Sequence, residues 1–372
     1  MDIRGCETVG IAAFSGCSAL GSVYIPHCLT VKSSAFQNCY SLASVNIANC
    51  GEIGTAAFQN CSALTYMSAS RCTIIGSNAF MMAGLESAYF SRCVEVNYSA
   101  FAGCYSLETV EMPVCQRIDS FVFASCSALS NLNVGPVSYI GYNAFVNCVG
   151  LTDLSLPLCS SIGSYAFSSC SRLCTVFLLN PEIVALNGGA VGVFAGTPAI
   201  GASGFTTEPF ELYVPKSMVW DYKINDAWSL MSSRIYGYSS EPAGDVTVNM
   251  FDVAINATGD IGNYLVVKAE NLTPGQAYDW ALYKFTPGTL TEDDTYLWSE
   301  GTSTLVETTE ITADCPIHKQ RYYAADGLED GEYYYVTVTP VGGTVETLSN
   351  LMLYFTSTSE ASSQTPVEGV PS

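Results

Sequence analysis

The groups that could carry chemistry in this 372-residue chain are sixteen cysteines, two histidines and thirty-four Asp or Glu side chains. Thiols at that density could form disulfides, hold a metal or act as nucleophiles, and each use needs its own arrangement. A Cys–His nucleophile pair is suggested by Pro26-His27-Cys28, but Cys28 belongs to a column of equivalent cysteines whose other members lack the histidine, so both residues read as structural. Zinc would need paired C-x-x-C units; Cys170 and Cys174 stand four apart with no second pair and no nearby His, so no metal is expected. Glu292-Asp293-Asp294 offers oxygen ligands for calcium, yet a three-residue run without the rest of a binding loop reads as a solvated tip. With His27 and His318 as the whole imidazole supply, acid–base catalysis has little material. The expectation is a protein that is not an enzyme and uses no cofactor.

Fourteen of the cysteines are placed by a repeat. Phenylalanine recurs at Phe14, Phe36, Phe58, Phe80, Phe101, Phe123, Phe145 and Phe167, at steps of 22 residues with a single step of 21. Three residues after it stand Cys17, Cys39, Cys61, Cys104, Cys126, Cys148 and Cys170, with Ala83 as the exception. Eight residues before it stand Cys6, Cys28, Cys50, Cys72, Cys93, Cys115 and Cys159, with Val137 as the exception. An aliphatic column (Val9, Val31, Ile53, Ile75, Val96, Ile118, Ile140, Ile162) and a leucine column (Leu20, Leu42, Leu64, Leu85, Leu107, Leu129, Leu151, Leu173) keep the same register. The fourth repeat, Ala83-Gly84-Leu85, is one residue short, which accounts for the step of 21.

Self-similarity at this period marks a solenoid, because one unit cannot bury its apolar face alone and stacked units share one core. The pattern L-x-x-V-x-I-x-x-C-x-x-V, as in Leu20 to Val31, contains a short period-two strand and reads as a leucine-rich-repeat strand. The expected architecture has a parallel sheet on one face and short turns or 3-10 segments on the other, with Phe and Leu as internal ladders. Identical residues in such a column are a packing pattern, and their parallel side-chain vectors disfavour a disulfide, so free buried thiols are expected. The column that starts at Cys6 and Cys28 takes the place where many leucine-rich repeats put Asn, and a thiol there can bond turn carbonyls weakly.

Composition narrows the function classes. Charged residues are 13% of the chain and the net charge is −21, which repels nucleic acid and anionic membrane surfaces. Hydrophobic residues at 49% supply a sizeable core. No apolar run reaches the roughly 20 residues needed to span a bilayer, and Met1-Asp2-Ile3-Arg4 opens no signal-peptide core, so no direct membrane insertion is expected.

Ile53-Gly54-Thr55-Ala56-Ala57-Phe58-Gln59-Asn60-Cys61-Ser62-Ala63-Leu64 and its counterpart Ile162 to Leu173 resemble the I-G-x-x-A-F-x-x-C-x-x-L signature of BspA-type leucine-rich repeats. The resemblance covers residues 1–180 in eight copies. Residues 181–240 look like the way arrays of this family end: Phe194-Ala195-Gly196-Thr197-Pro198, then Leu212-Tyr213-Val214-Pro215, then Trp228, with residues 216–230 expected to form a capping helix. The resemblance implies a surface or secreted protein, mostly bacterial, with adhesion as the usual role and a host or matrix protein, or a glycan, as partner. The chain opens at Ile3 in mid-strand with no capping unit, which leaves a fragment as one expectation.

Past Tyr238 the period disappears and Glu241-Pro242-Ala243-Gly244 reads as a linker. Residues 241–372 hold four Lys or Arg against twenty Asp or Glu. Short β-forming runs (246–255, 264–269, 278–285, 333–341, 351–355) separated by turn clusters predict an all-β immunoglobulin-like sandwich over 241–356. Gly327 to Val338 resembles the penultimate-strand region of fibronectin type III domains. Residues 357–372 read as a disordered tail.

Outward-facing strand positions of a solenoid form an extended binding surface. Two positions per strand give Ser22 and Tyr24, Ser44 and Asn46, Tyr66 and Ser68, Ser87 and Tyr89, Thr109 and Glu111, Asn131 and Asn133, Asp153 and Ser155, Thr175 and Phe177. Tyr24, Tyr66, Tyr89 and Phe177 could anchor a protein or stack on sugar rings; alternatively, Tyr and Thr sit there because they suit exposed strands. The main expectation is an adhesion protein that binds through this face; the alternative is a structural part of a larger assembly such as a phage tail fibre or envelope layer.

Overall fold

The computed structural model describes residues 1–200 and 209–238, and in the second half 247–253, 264–270, 272, 273, 276–286, 302–312, 317–322, 326, 328, 329, 332–343, 346–349, 352 and 353. The chain divides into two compact units, Met1–Gly204 with Pro209–Gly237, and Phe205–Glu208 with Tyr238–Ser372. The Glu241 linker, the Glu292 acidic run, Cys315 and the 357–372 tail lie outside the described residues.

In the first unit every repeat contributes two strands. The L-x-x-V-x-I pattern forms the expected ones, from Ser22–Tyr24 through Thr175–Leu178, paired in parallel one repeat apart within three runs that break after Ser44–Asn46 and after Asn131–Val134; Thr109 pairs with Asn131 and Val110 with Leu132, for example. Their alternation buries Val23, Met67, Ala88 and Val110. The opposite wall is not made of turns alone, which corrects the one-sheet expectation. Two-residue strands from Thr8–Val9 to Ala185–Leu186 make a second parallel sheet of nine strands. In each, the aliphatic residue turns inward and its predecessor faces out, so a β-branched residue at a fixed step extends the ladder from rung to rung.

Between the sheets the core is a set of like-on-like columns. Nine phenylalanines from Phe14 to Phe194 stack in succession, with ring centroids 5.2–5.5 Å apart and planes within 20°. All but Phe14 are buried. Turn backbones are laddered too: the Phe36 N–H donates to the Ala57 carbonyl at 2.8 Å and Phe58 to Ala79 at 2.7 Å. The shortened fourth repeat is absorbed at Gly84, where a Cβ would meet the Ser62 carbonyl oxygen at 2.0 Å. In the same region Phe90 packs tilted against both Phe80 and Phe101, at 5.9 and 6.1 Å.

The ladder ends on Phe194, against which Trp228 packs at 6.2 Å. Leu212-Tyr213-Val214 lies in a strand, Glu211–Pro215. The expected helix over 216–230 is instead three pieces: a 3-10 turn at Lys216–Met218, a helix at Val219–Ile224 and a 3-10 helix at Ser229–Arg234. Asn225 breaks it, with ψ at 129° and its side-chain oxygen accepting the Ala227 N–H at 3.0 Å. The break returns Trp228 to the core, where its Nε1–H donates to the Val184 carbonyl at 2.8 Å.

The second unit consists of antiparallel sheets. One holds Thr247–Val253, Tyr264–Glu270 and Ile317–Tyr322; the other is centred on Ala277–Thr286 between Thr302–Thr312 and Tyr333–Pro340. Thr302–Thr312 and Ile317–Tyr322 are strands the sequence reading did not predict. Leu265, Val267, Trp280, Leu282, Tyr334 and Val336 form its core.

Candidate functional site

The thiols separate into two structural roles. In the column that starts at Cys6, each thiol donates to the carbonyl two residues ahead, Cys28 to Thr30 at 3.3 Å and Cys50 to Glu52 at 3.1 Å. In the other column the thiol reaches back to the phenylalanine carbonyl of the preceding rung: Cys39 to Phe14 at 3.0 Å, Cys61 to Phe36 at 3.2 Å, Cys148 to Phe123 at 3.0 Å. Sequence reasoning missed this second role, which links rungs through a carbonyl that also accepts a turn N–H within its own repeat, as Phe14 does from Cys17 at 3.0 Å. The cysteines of both columns are free thiols, and all of them but Cys6 and Cys17 are buried.

Burial pushes the Cys61, Cys72, Cys104, Cys159 and Cys170 thiols up to about 12, since a thiolate there would lose its hydration. Such thiols are poor nucleophiles at neutral pH. In the His27–Cys28 pair the imidazole residue is exposed while the thiol is buried and turned to the Thr30 carbonyl. The side chain of His318 lies outside the described residues. Among the described residues, no group of three or more His, Cys, Asp or Glu could hold a metal ion.

The long-strand sheet face carries the expected binding residues. Tyr24 and Tyr66 are 42% and 56% exposed. Tyr89 is half-buried, its ring 5.6 Å from that of Tyr66 and tilted by 38°. Asn46 and Asn133 are exposed, and Glu111 and Ser155 are half-buried. The Asn133 amide donates to the Glu111 carboxylate at 3.1 Å across the rungs, and Arg4 lies 5.7 Å over the Tyr24 ring.

Phe177 departs from expectation. It is 7% exposed, and Thr175 on the same strand is fully buried. Its ring stacks on Tyr213 of the next strand at 5.0 Å, and Tyr213 meets Tyr236 at 5.8 Å. A large ring flanked by another aromatic on the neighbouring strand is covered by it, so Phe177 supports the end of the array and leaves Tyr236 as the exposed member of that group. The structure thus brings Tyr66 and Tyr89 together and, separately, Glu111 and Asn133; Tyr24 stands at the first rungs.

No helix of the described residues is long and apolar enough to cross a membrane. The chain is similar to a solved leucine-rich cell surface protein from Faecalibacterium prausnitzii, at 16% identity and a TM-score of 0.26, over 51% of this chain and 75% of that one. It is also similar to a leucine-rich repeat protein from Eubacterium ventriosum, at 12% identity and a TM-score of 0.21, over 48% of this chain and 82% of that one. No curated protein matches it. The family described as BspA type leucine rich repeat region matches residues 3–108 and 94–190 in six copies. Those residues hold the stacked phenylalanine and cysteine columns and make up half of the sequence, so the chain belongs to the BspA-type leucine-rich repeat family.

Proposed function

We propose that this is a non-enzymatic surface or secreted binding protein that recognises a protein or a glycan through the long-strand sheet face. The observation that carries the reading is the Tyr66–Tyr89 ring pair, one ring exposed and the other half-buried, held 5.6 Å apart on two hydrogen-bonded strands. Rings preordered by the sheet give contact area at little entropic cost. Around them stand Ser44, Asn46 and Ser68, short uncharged groups that can hydrogen-bond a partner without a large desolvation penalty. The second unit serves as a spacer or second module of sandwich type. Its Tyr334 hydroxyl accepts the Glu329 N–H at 2.7 Å, an arrangement like the tyrosine corner of immunoglobulin-like sandwiches.

The test is a binding screen of the whole protein against immobilised matrix proteins and a glycan array at physiological salt. The double variant Tyr66→Ala/Tyr89→Ala should weaken any captured partner by about tenfold or more. Undiminished binding by that variant places recognition elsewhere, and silence across both screens would favour an architectural part of a larger assembly.

A further inference from the structure

A second aromatic row lies away from the sheet face, at the two residues that precede the Ala-Phe or Val-Phe pair of each repeat. In repeats five to eight these residues are Tyr98-Ser99, Ser120-Phe121, Tyr142-Asn143 and Ser164-Tyr165. The four rings touch edge to face in sequence, with centroids 5.6, 5.3 and 6.0 Å apart. Tyr98, Tyr142 and Tyr165 remain 47%, 44% and 45% exposed.

The fold does not require these rings. Repeats one to four place Ile11-Ala12, Ser33-Ser34, Thr55-Ala56 and Ser77-Asn78 at the same positions. The backbone is the same in all eight: the second residue of the pair has φ between 51° and 61°. A bulky aromatic in that left-handed region is disfavoured relative to Asn or Gly, yet Phe121 and Tyr165 occupy it, at 60° and 57°. Strain of this kind persists where a side chain is needed in one place.

We propose that this row binds a neutral, extended, equatorially linked glycan lying along the solenoid axis. The ring spacing follows the rungs, and such a chain advances by close to one sugar per rung. An extended peptide presents same-face side chains every roughly 6.6 Å and would drift out of step along four rings. The flanking groups are hydroxyls and amides, from Ser120, Asn143 and the tyrosines themselves, which suit sugar hydroxyls. Of the charges close in sequence, Arg117 and Asp119 lie 4.0 Å apart and Glu95 stands on the strand beside Arg117, so these three leave a single net negative charge, too little to select an ionic partner. The proposal does not depend on the sheet face being a binding site.

The experiment is affinity electrophoresis of the full chain through gels containing hydroxyethyl cellulose or konjac glucomannan, with pullulan, an α-linked neutral coil, as the comparison. The wild type should be retarded by at least one of the first two and not by pullulan. The triple variant Tyr98→Ser/Phe121→Ser/Tyr142→Ser takes residues that repeats one to four already tolerate, and its circular dichroism should match the wild type. Its affinity should fall by about tenfold or more, while Tyr40→Ser, which removes an exposed ring outside both the row and the sheet-face pair, keeps its retardation. No retardation of the wild type by either β-linked glycan, or equal retardation of the folded triple variant, overturns the proposal. Loss only in the Tyr66/Tyr89 variant overturns it too and moves glycan binding to the sheet face.

Discussion

In the solenoid a buried side chain meets copies of itself one repeat away, whereas in the second unit it meets residues of other kinds from distant parts of the chain. Phe101 stacks between Phe80 and Phe123, at 5.2 and 5.4 Å. Trp280 sits on a central strand paired with Thr309 on one side and Val338 on the other. The first kind of core is a sum of nearest-neighbour steps and tolerates a change in the number of rungs. The second forms only when strands far apart in sequence are brought together. Like-on-like packing also gives many thiols the same surroundings, so burial raises those of Cys61, Cys104 and Cys170 alike, whereas a hydrogen bond from Cys50 lowers that of Cys28 to about 7.

Removing one rung from the phenylalanine ladder should have the largest effect. Phe101→Ala deletes a fully buried ring and should cost about 3–5 kcal/mol in urea unfolding. Amide exchange should quicken mainly in the rungs on either side, with Leu282 and Val336 of the second unit unaffected. Loss of protection spread evenly over both units would break the contrast.

Gly84→Ala tests how the short repeat is accommodated. Its added methyl meets the Ser62 backbone oxygen, so the rungs must separate, and about 1–3 kcal/mol of stability should be lost. A neutral result would mean that the turn relaxes freely.

Alkaline pH should act on the solenoid in particular. The Cys104 thiol is raised from 9.0 to about 12 by burial, as is that of Cys170. Because the folded state holds these protons more tightly than the unfolded chain, their contribution is complete below about pH 9 and disappears as pH climbs towards 12. Each such thiol adds a slope of about 1.4 kcal/mol per pH unit within that window. The melting temperature should therefore drop steeply above pH 9, and Cys104→Ala should flatten the slope by one proton. A slope unchanged by that substitution would show that Cys104 does not contribute.

Much of the solenoid is legible because its signal is repeated eight times: Phe, Leu, Cys and aliphatic residues at fixed steps identify the inward positions by coincidence of columns. Tyr24, Tyr66 and Asn133 were correctly placed on the outside by period-two alternation. Phe177 was not, since its neighbour across the strand, Tyr213, lies 36 residues on, beyond the regular repeat. The second sheet escaped notice because two-residue strands leave no alternation to read. The backward hydrogen bond from Cys39 to Phe14 spans 25 residues and is visible only when rungs are stacked.

By itself the sequence determined the repeat length, the inward columns, the short fourth repeat and the scarcity of imidazole chemistry, because each follows from residue type and spacing along one chain. Tertiary structure decided which outward residues meet. The Tyr66–Tyr89 pair, the Glu111–Asn133 bond and the Tyr98–Phe121–Tyr142–Tyr165 row all join different rungs. The physical reason is that core positions are selected by exclusion from water, a property that each residue carries, whereas a surface row depends on the distance and tilt between neighbouring rungs, which stacking alone supplies.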